Sequence, residues 1–395
     1  MKPSPKKFDI VVYGASGFTG RLVAEYLASR YAKDSDLKWA MAGRSLEKLA
    51  GVRDAIGAPP DTPLIAADAS DPASLKAMMD QTKLVLTTVG PYQLYGSELV
   101  AACAASGTDY LDLCGEPLWM RRMIDAHEAA AKSSGARIVF SCGFDSIPFE
   151  LGVFFLEETA KKQLGAPVSR VKGRVRDMKG GPSGGTVASI KATFMATVRD
   201  LSQVSMLQNP FVLTPGFEGP DQPRGNRPKL DEDIGSWTSP FGMATINTRN
   251  VHRSNMLMGF PYGKDFVYDE MVVTGPGEQG EAEARRLFAA SKAERTGAGG
   301  PKPGEGPSKE ERESGHYDLL FVGLAPDGRQ VRVSVKGDRD PGYGSTSKMI
   351  SECAVCLLRD AAEVPGGIWT PGAAMGDRLI KRLVDNAGLT FDVEG

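Results

Sequence analysis

The chain is poor in the residues that build metal centres and disulfide frameworks. It carries five cysteines and three histidines in 395 residues. An odd, sparse cysteine set argues against a disulfide scaffold and for a reducing compartment, so a cytoplasmic location is expected. No second pair accompanies Cys353 and Cys356, and His127, His252 and His316 are scattered, so no metal site is expected. At C-x-x-C spacing on a helix the two thiols share one face, and buried core is the preferred reading over a redox role. An excess of either charge is also missing. The formal net charge of -2 supplies no basic stripe and excludes the usual nucleic-acid binder. No apolar run reaches the length of a membrane span; Glu150, Glu157 and Glu158 interrupt the one around Phe154. Peripheral membrane contact stays open. The basic residues 2–7 run straight into a strand-like segment without the apolar stretch of a signal peptide, and read as a short tail.

What the first 150 residues do have is alternation. Strands are expected at 8–13, 37–42, 64–67, 84–89, 109–113 and 137–141. Helices are expected at 19–32, 46–55, 97–106 and 117–134, with another opened by Asp71-Pro72. Ser45 is placed to cap the second helix. This rhythm means a doubly wound parallel sheet with helices on both faces, a Rossmann domain over 1–150. Beyond Pro148 the rhythm changes. Residues 168–176 alternate like a half-exposed strand, 186–206 have helical periodicity, and 317–324 with 330–336 flank the hairpin signal Pro326-Asp327-Gly328. Residues 345–362 read as a helix. Residues 209–236 and 297–315 are rich in Gly, Pro and charge, and read as long loops, the second of them mobile. Residues 151–365 are therefore expected to form an α+β domain with an antiparallel sheet that holds substrate and any homodimer interface. Residues 366–395 are expected to supply a helix, over 370–383, that packs back on the first domain.

The sharpest motif is Gly14-Ala15-Ser16-Gly17-Phe18-Thr19-Gly20, between the first strand and the first helix. The first glycine permits a tight turn, the middle one lets amides approach a pyrophosphate, and the last allows close helix–strand packing. Its G-x-x-G-x-x-G spacing departs from the usual fingerprint, and the bland alternative is a mere bend. At the end of the second strand an NAD enzyme places a carboxylate for the ribose 2′-hydroxyl. Here Gly43-Arg44-Ser45 stands instead. Arg44 suits a 2′-phosphate and Ser45 can hydrogen-bond it, so NADP(H) is favoured over NAD(H); a solvent-facing arginine is the alternative. Asp68 is placed to reach the adenine, or is a solvated loop residue. Val89-Gly90-Pro91 closes the fourth strand beside the topological switch, where its backbone can pass close to the cofactor.

These residues carry a resemblance. The chain resembles the saccharopine dehydrogenase-like oxidoreductases and, within them, is most similar to the bacterial trans-acting enoyl reductases. The matching pieces are the glycine turn, Ala42-Gly43-Arg44-Ser45, Val89-Gly90-Pro91-Tyr92, and Tyr110-Leu111-Asp112-Leu113-Cys114-Gly115-Glu116. They continue with Cys142-Gly143-Phe144-Asp145-Ser146-Ile147-Pro148, Ser183-Gly184-Gly185-Thr186 and Gly366-Gly367-Ile368-Trp369-Thr370-Pro371. The resemblance implies NADP-linked reduction of an α,β-unsaturated acyl chain, free or carrier-bound. A saccharopine-type imine or amino-acid dehydrogenase is the alternative within the class, and a non-catalytic NADP(H)-binding protein the alternative outside it. An amino-acid substrate would need a cluster of arginines, for which Arg174, Arg176, Arg199, Arg249 and Arg253 are the candidates. Phe154, Phe155, Phe194, Met195, Met206 and Phe211 offer apolar lining for an acyl chain, or core.

Reduction of an enoyl thioester needs a donor at the thioester oxygen and an acid for the α-carbon. Tyr92, Cys142 and Asp145 are the leading candidates, with Tyr95 and Ser146 behind them, because strand ends face the cofactor. Asp145 reads equally as a helix cap, and Glu116 reads as a cleft residue or a helix-start carboxylate. The second glycine-rich segment, Gly180-Gly181-Pro182-Ser183-Gly184-Gly185-Thr186, reads as an anion site or, preferably, a close backbone bend.

Overall fold

The computed structural model describes residues 6–181, 188–189, 202–295, 302 and 304–395. Two seven-stranded sheets organise them. The first contains β1 (Phe8–Tyr13), β2 (Trp39–Gly43), β3 (Leu64–Ala66), β4 (Thr82–Thr87), β5 (Asp109–Leu111), β6 (Arg137–Val139) and a late strand, β13 (Gly367–Trp369). Its order is β13-β6-β5-β4-β1-β2-β3 and every pair is parallel. This is the dinucleotide-binding order with one strand added at the edge. β1 is buried at every position but Asp9, as a parallel strand covered on both faces must be. The strand order reverses between β1 and β4, which opens a crevice at their carboxyl ends.

The helices begin where their caps dictate. Ser45 Oγ accepts from Lys48 N at 3.2 Å and starts α2 (Leu46–Ala55). Asp71 Oδ1 accepts from Ala73 N at 3.0 Å and, with Pro72, starts α3 (Pro72–Met79). The 117–134 helix, α6 (Pro117–Ser134), ends on the left-handed Gly135. Two helices separate it from β4: α4 (Tyr92–Tyr95) and α5 (Ser97–Ser106).

The second sheet has the order β14-β12-β11-β7-β10-β9-β8. Its strands are β7 (Arg170–Lys179), β8 (Lys229–Asp231), β9 (Ser236–Pro240), β10 (Val267–Gly275), β11 (His316–Leu324), β12 (Gln330–Gly337) and β14 (Leu389–Glu394). Its pairs are antiparallel except β7 with β10. The expected loop at 209–236 thus contains β8. Segments that carried no expectation form α9 (Ala244–Leu257), β10 and α10 (Gly277–Arg295). Of the helix expected at 186–206, residues 188–189 and α8 (Ser202–Gln208) are described; Ser183, Gly184, Gly185, Thr186, Phe194, Met195 and Arg199 lie outside the described residues. In the expected loop at 297–315, Lys309–Ser314 forms a helix, α11, started by a capping box of Ser308 and Glu311; residues 297–301 and 303 lie outside the described residues.

The two sheets share a core. It runs from Ile10, Val12, Leu84 and Leu86 through Val153 and Leu156 of α7 (Ile147–Leu164) to Leu319 and Phe321. Met349, Ile350 and Cys353 of α12 (Thr346–Arg359) belong to it. A Cβ on Gly152 would lie 2.3 Å from the Phe321 ring, so helix and sheet touch without a side chain between them. The tail helix α13 (Pro371–Ala387) packs on α12 and α7, with β13 before it in the first sheet and β14 after it in the second.

Candidate active site

The turn after β1 has the geometry its glycines demand. Gly14 has a φ of +90°, and a Cβ there would lie 2.7 Å from Val89 Cγ2 and 2.9 Å from Thr88 Oγ1. A Cβ on Gly20 would lie 2.1 Å from the Gly14 carbonyl oxygen. α1 (Phe18–Arg30) starts at Gly17 with no side chain capping it, and Ser16 and Gly17 are exposed. Thr19 is half-buried in the first turn. The first-turn amides are thus open to an anion, at the positive end of the helix. The segment after β4 lies against this turn, with Thr88 N donating to Tyr13 O at 3.0 Å. Val89 N is tied to Thr87 Oγ1 at 3.2 Å, Gly90 is exposed, and Pro91 precedes α4. The two motifs singled out for the cofactor are therefore neighbours.

Arg44 is exposed at the end of β2 and forms no ion pair with any described residue. Ser16 Oγ lies 3.5 Å from the Cβ position of Gly43, which places Arg44 beside the glycine turn. Ser45 uses an oxygen lone pair on Lys48 N and keeps its hydroxyl proton. Asp68 accepts from Ser70 N at 2.9 Å and Ser70 Oγ at 2.8 Å, and these bonds, helped by Arg44, hold its carboxyl below the usual range. It closes its own turn. Tyr13, pushed up to about 12 by burial and then by Asp68, lies in the same neighbourhood.

At the other end of the crevice the candidates separate. Tyr92 is buried; its hydroxyl accepts from Leu113 N at 3.1 Å and lies 3.4 Å from Thr87 O, tying the ends of β4 and β5 together. Burial pushes this phenol well up. Glu116 accepts from Tyr92 N and Gln93 N, both at 2.9 Å, so it caps α4 across the crevice. Cys142 has no exposed surface and packs in the core beside Cys353; its thiol faces Val139 O at 3.5 Å, and burial raises its pKa. Cys353 and Cys356 are likewise buried and free. Tyr95 is half exposed, at 50%.

Asp145 differs from all of these. It is half-buried, forms no hydrogen bond or ion pair with a described residue, and its Oδ2 lies 3.5 Å from the Cβ position of Gly115. Burial alone pushes its carboxyl up to about 7. It does not cap α7, whose N-cap is Ser146. Its neighbours are pinned from the second half of the chain: Asn250 Nδ2 donates to Ser146 Oγ at 2.9 Å, and Phe144 N donates to Thr346 Oγ1 at 3.0 Å. Ser141, just upstream, has a φ of 62°. Its N–H donates to Asp112 at 2.9 Å and its hydroxyl to Cys114 O at 2.6 Å. A strained, tightly bonded segment thus presents a free carboxyl. Gly115 beside Asp145, and Asn250 and Thr346 on the residues flanking it, carried no local signal; only the fold assembles them.

The four candidate arginines among the described residues are committed elsewhere; the fifth, Arg199, lies outside them. Arg174 is buried between Asp231, at 2.7 Å, and Asp269, at 3.2 Å. Arg176 pairs with Asp318 and Glu394. Arg249 donates to the carbonyls of Thr245 and Leu207, and Arg253 to those of Leu213 and Ile368. Among the described residues no group of His, Cys, Asp and Glu could hold a metal ion, and no helix is long and apolar enough to cross a membrane.

Residues 10–139 match the family model described as the saccharopine dehydrogenase NADP binding domain. A Mycobacterium tuberculosis relative is 41% identical over 97% of this chain and 97% of its own length, and the trans-acting enoyl reductase of the same species is 37% identical over 97% of each chain. The trans-acting enoyl reductase of Mycobacterium ulcerans is 37% identical over 97% of each chain. Among solved structures, the apo saccharopine dehydrogenase (L-Glu forming) of Saccharomyces cerevisiae covers 98% of this chain and 100% of its own, with a TM-score of 0.56 at 11% identity. The homospermidine synthase of Legionella pneumophila in complex with NAD covers 98% of this chain and 92% of its own, at 0.53 and 10%. At such identities the likeness is one of fold.

Proposed function

We propose that this chain, which belongs to the trans-acting enoyl reductase branch of the saccharopine dehydrogenase-like, NADP-dependent oxidoreductases, reduces the carbon–carbon double bond of an α,β-unsaturated acyl thioester. The fate of the four candidate arginines among the described residues supports the substrate class. A substrate built of amino acids presents several carboxylates, and each needs a cationic partner. Arg174, Arg176, Arg249 and Arg253 are engaged by internal carboxylates or carbonyls, so none of them is left to clamp a substrate. An acyl chain makes no such demand. The names carried by the relatives support the same reading.

NADPH, when bound, supplies the hydride for the β-carbon. The chain supplies the rest. The open amides of the first α1 turn hold the paired phosphates, and Arg44 with the Ser45 hydroxyl holds the 2′-phosphate. Tyr92 and Glu116 fix the backbone of 87–93 along the crevice. Asp145 keeps its proton close to neutral pH because burial disfavours its charge, and it can deliver that proton to the α-carbon. An enoyl-thioester series and saccharopine, each offered with both nicotinamide cofactors, test the proposal. NADPH consumption with the thioesters and none with the amino-acid substrate is expected. The reverse preference overturns it.

A further inference from the structure

We infer that the second half of the chain reaches across the glycine turn, and that Arg312, together with Arg21, binds the diphosphate of the dinucleotide. The inference rests on the cofactor reading and adds to it a ligand from far outside residues 10–139.

Phe18 is where the two halves of the chain meet at the turn. It is the first residue of α1, and its ring meets Tyr343 edge-on, with centroids 5.2 Å apart. The guanidinium groups of Arg21 and Arg312 each lie 5.7 Å from the centre of that same ring. Arg21 stands almost one turn into α1. Side chains on a helix lean toward its N-terminus, so this charge is carried back toward the open amides. Arg312 reaches the same ring from α11. Its backbone oxygen accepts from Asp340 N at 3.0 Å and its Nη1 donates to Pro307 O at 2.6 Å. Asp340 in turn accepts from Tyr343 N at 3.0 Å and Gly344 N at 2.7 Å, and so braces the π-helical turn Pro341–Ser345 that presents Tyr343. The approach leaves no slack: a Cβ on Gly306 would lie 2.5 Å from the Phe18 ring. Residues 304–315 therefore form a strap lying directly on the cofactor turn.

Charge says what the strap is for. Arg21 has no hydrogen-bonded carboxylate among the described residues, and Arg312 has only a through-space attraction to Asp340, whose oxygens are already engaged. Two guanidinium groups held against one ring beside a helix N-terminus, neither hydrogen-bonded to a carboxylate among the described residues, make a positive patch that suits an anion. The anion for which the turn is built is a diphosphate. Both NADPH and NADH carry it, so this clamp differs from Arg44 in being blind to the 2′-phosphate.

The test uses the full chain, fluorescence titration with NADPH and with NADH, and stopped-flow displacement of bound NADPH. Losing one charge-assisted hydrogen bond weakens binding by about tenfold. Arg312→Ala is therefore expected to weaken both cofactors alike by about that factor, with the NADPH off-rate raised and the salt dependence of binding reduced. Gly306→Ala, which lifts the strap without touching a charge, is expected to raise the off-rate too. Arg329→Ala, at an exposed hairpin arginine, serves as the unchanged control, and circular dichroism confirms folding. Unchanged affinity and off-rate in Arg312→Ala, with Arg44→Ala still weakening NADPH, overturns the strap and leaves the cofactor reading standing. A loss confined to NADPH overturns the diphosphate assignment. If the unmodified chain binds neither cofactor, both readings fall.

Discussion

The Oδ2 atom of Asp145 lies 3.5 Å from the point where a side chain on Gly115 would begin. That spacing is ordinary contact distance, so the carboxyl sits directly beside Gly115 without crowding. Asp145 is half-buried, has no partner among the described residues, and stands at the carboxyl end of the parallel sheet. A general acid contributes on the order of 10²- to 10⁴-fold to rate. Asp145→Asn is expected to lower kcat by that order and to leave NADPH affinity unchanged. The rate of the unmodified enzyme should fall as pH rises through about 7, where the carboxyl loses its proton, and this limb should vanish in the residual activity of the variant. Rate against pH for both proteins checks it.

The same group makes a stability prediction of opposite sign. Burial raises the Asp145 carboxyl from 3.8 to about 7, so the folded chain keeps a proton that the unfolded chain releases earlier. Stability from this group is complete below pH 3.8 and is lost as pH rises toward 7. Asp145→Asn is expected to match the parent near pH 4 and to exceed it by on the order of 1–3 kcal/mol at pH 8. Urea unfolding at the two pH values measures the difference.

Arg44 is exposed beside the glycine turn and forms no ion pair with a described residue. A charge-assisted bond to phosphate contributes about 1.5–3 kcal/mol, so Arg44→Ala should weaken NADPH by roughly ten- to a hundredfold. NADH binding should be unchanged. Equal loss for both cofactors in a titration would contradict the assignment.

Cys142 offers the converse case. It stood at the right strand end for catalysis, yet it packs against Cys353 with no exposed surface. Cys142→Ala is expected to cost about 1 kcal/mol from lost packing and to keep turnover within about threefold of the parent, a change of about 0.6 kcal/mol in barrier. Steady-state kinetics with melting curves separates the two effects.

The contrast between Asp145 and Cys142 shows where the sequence is legible. The parallel sheet, the glycine turn, the Ser45 and Asp71 caps and the 326–328 hairpin rest on local signals, and each stands where those signals put it. Which side of a strand end faces the crevice is not a local property, so neighbours in one motif met opposite surroundings, Cys142 fully buried and Asp145 only half-buried. α9 escaped for another reason. Its Asn247, Asn250 and Ser254 stripe is buried against Glu270, Ser146 and Glu150, so its inward face is polar and no apolar period marks it. β13 is three residues long and joins the sheet from the far end of the chain. Nothing short of the fold reveals that pairing.

The most direct measurement is where the hydrogens go. With NADPH deuterated at the transferable position and an enoyl thioester in ordinary water, the product should carry deuterium at its β-carbon and solvent-derived hydrogen at its α-carbon. Product bearing no deuterium, or deuterium at the α-carbon in place of the β-carbon, contradicts the enoyl reductase reading.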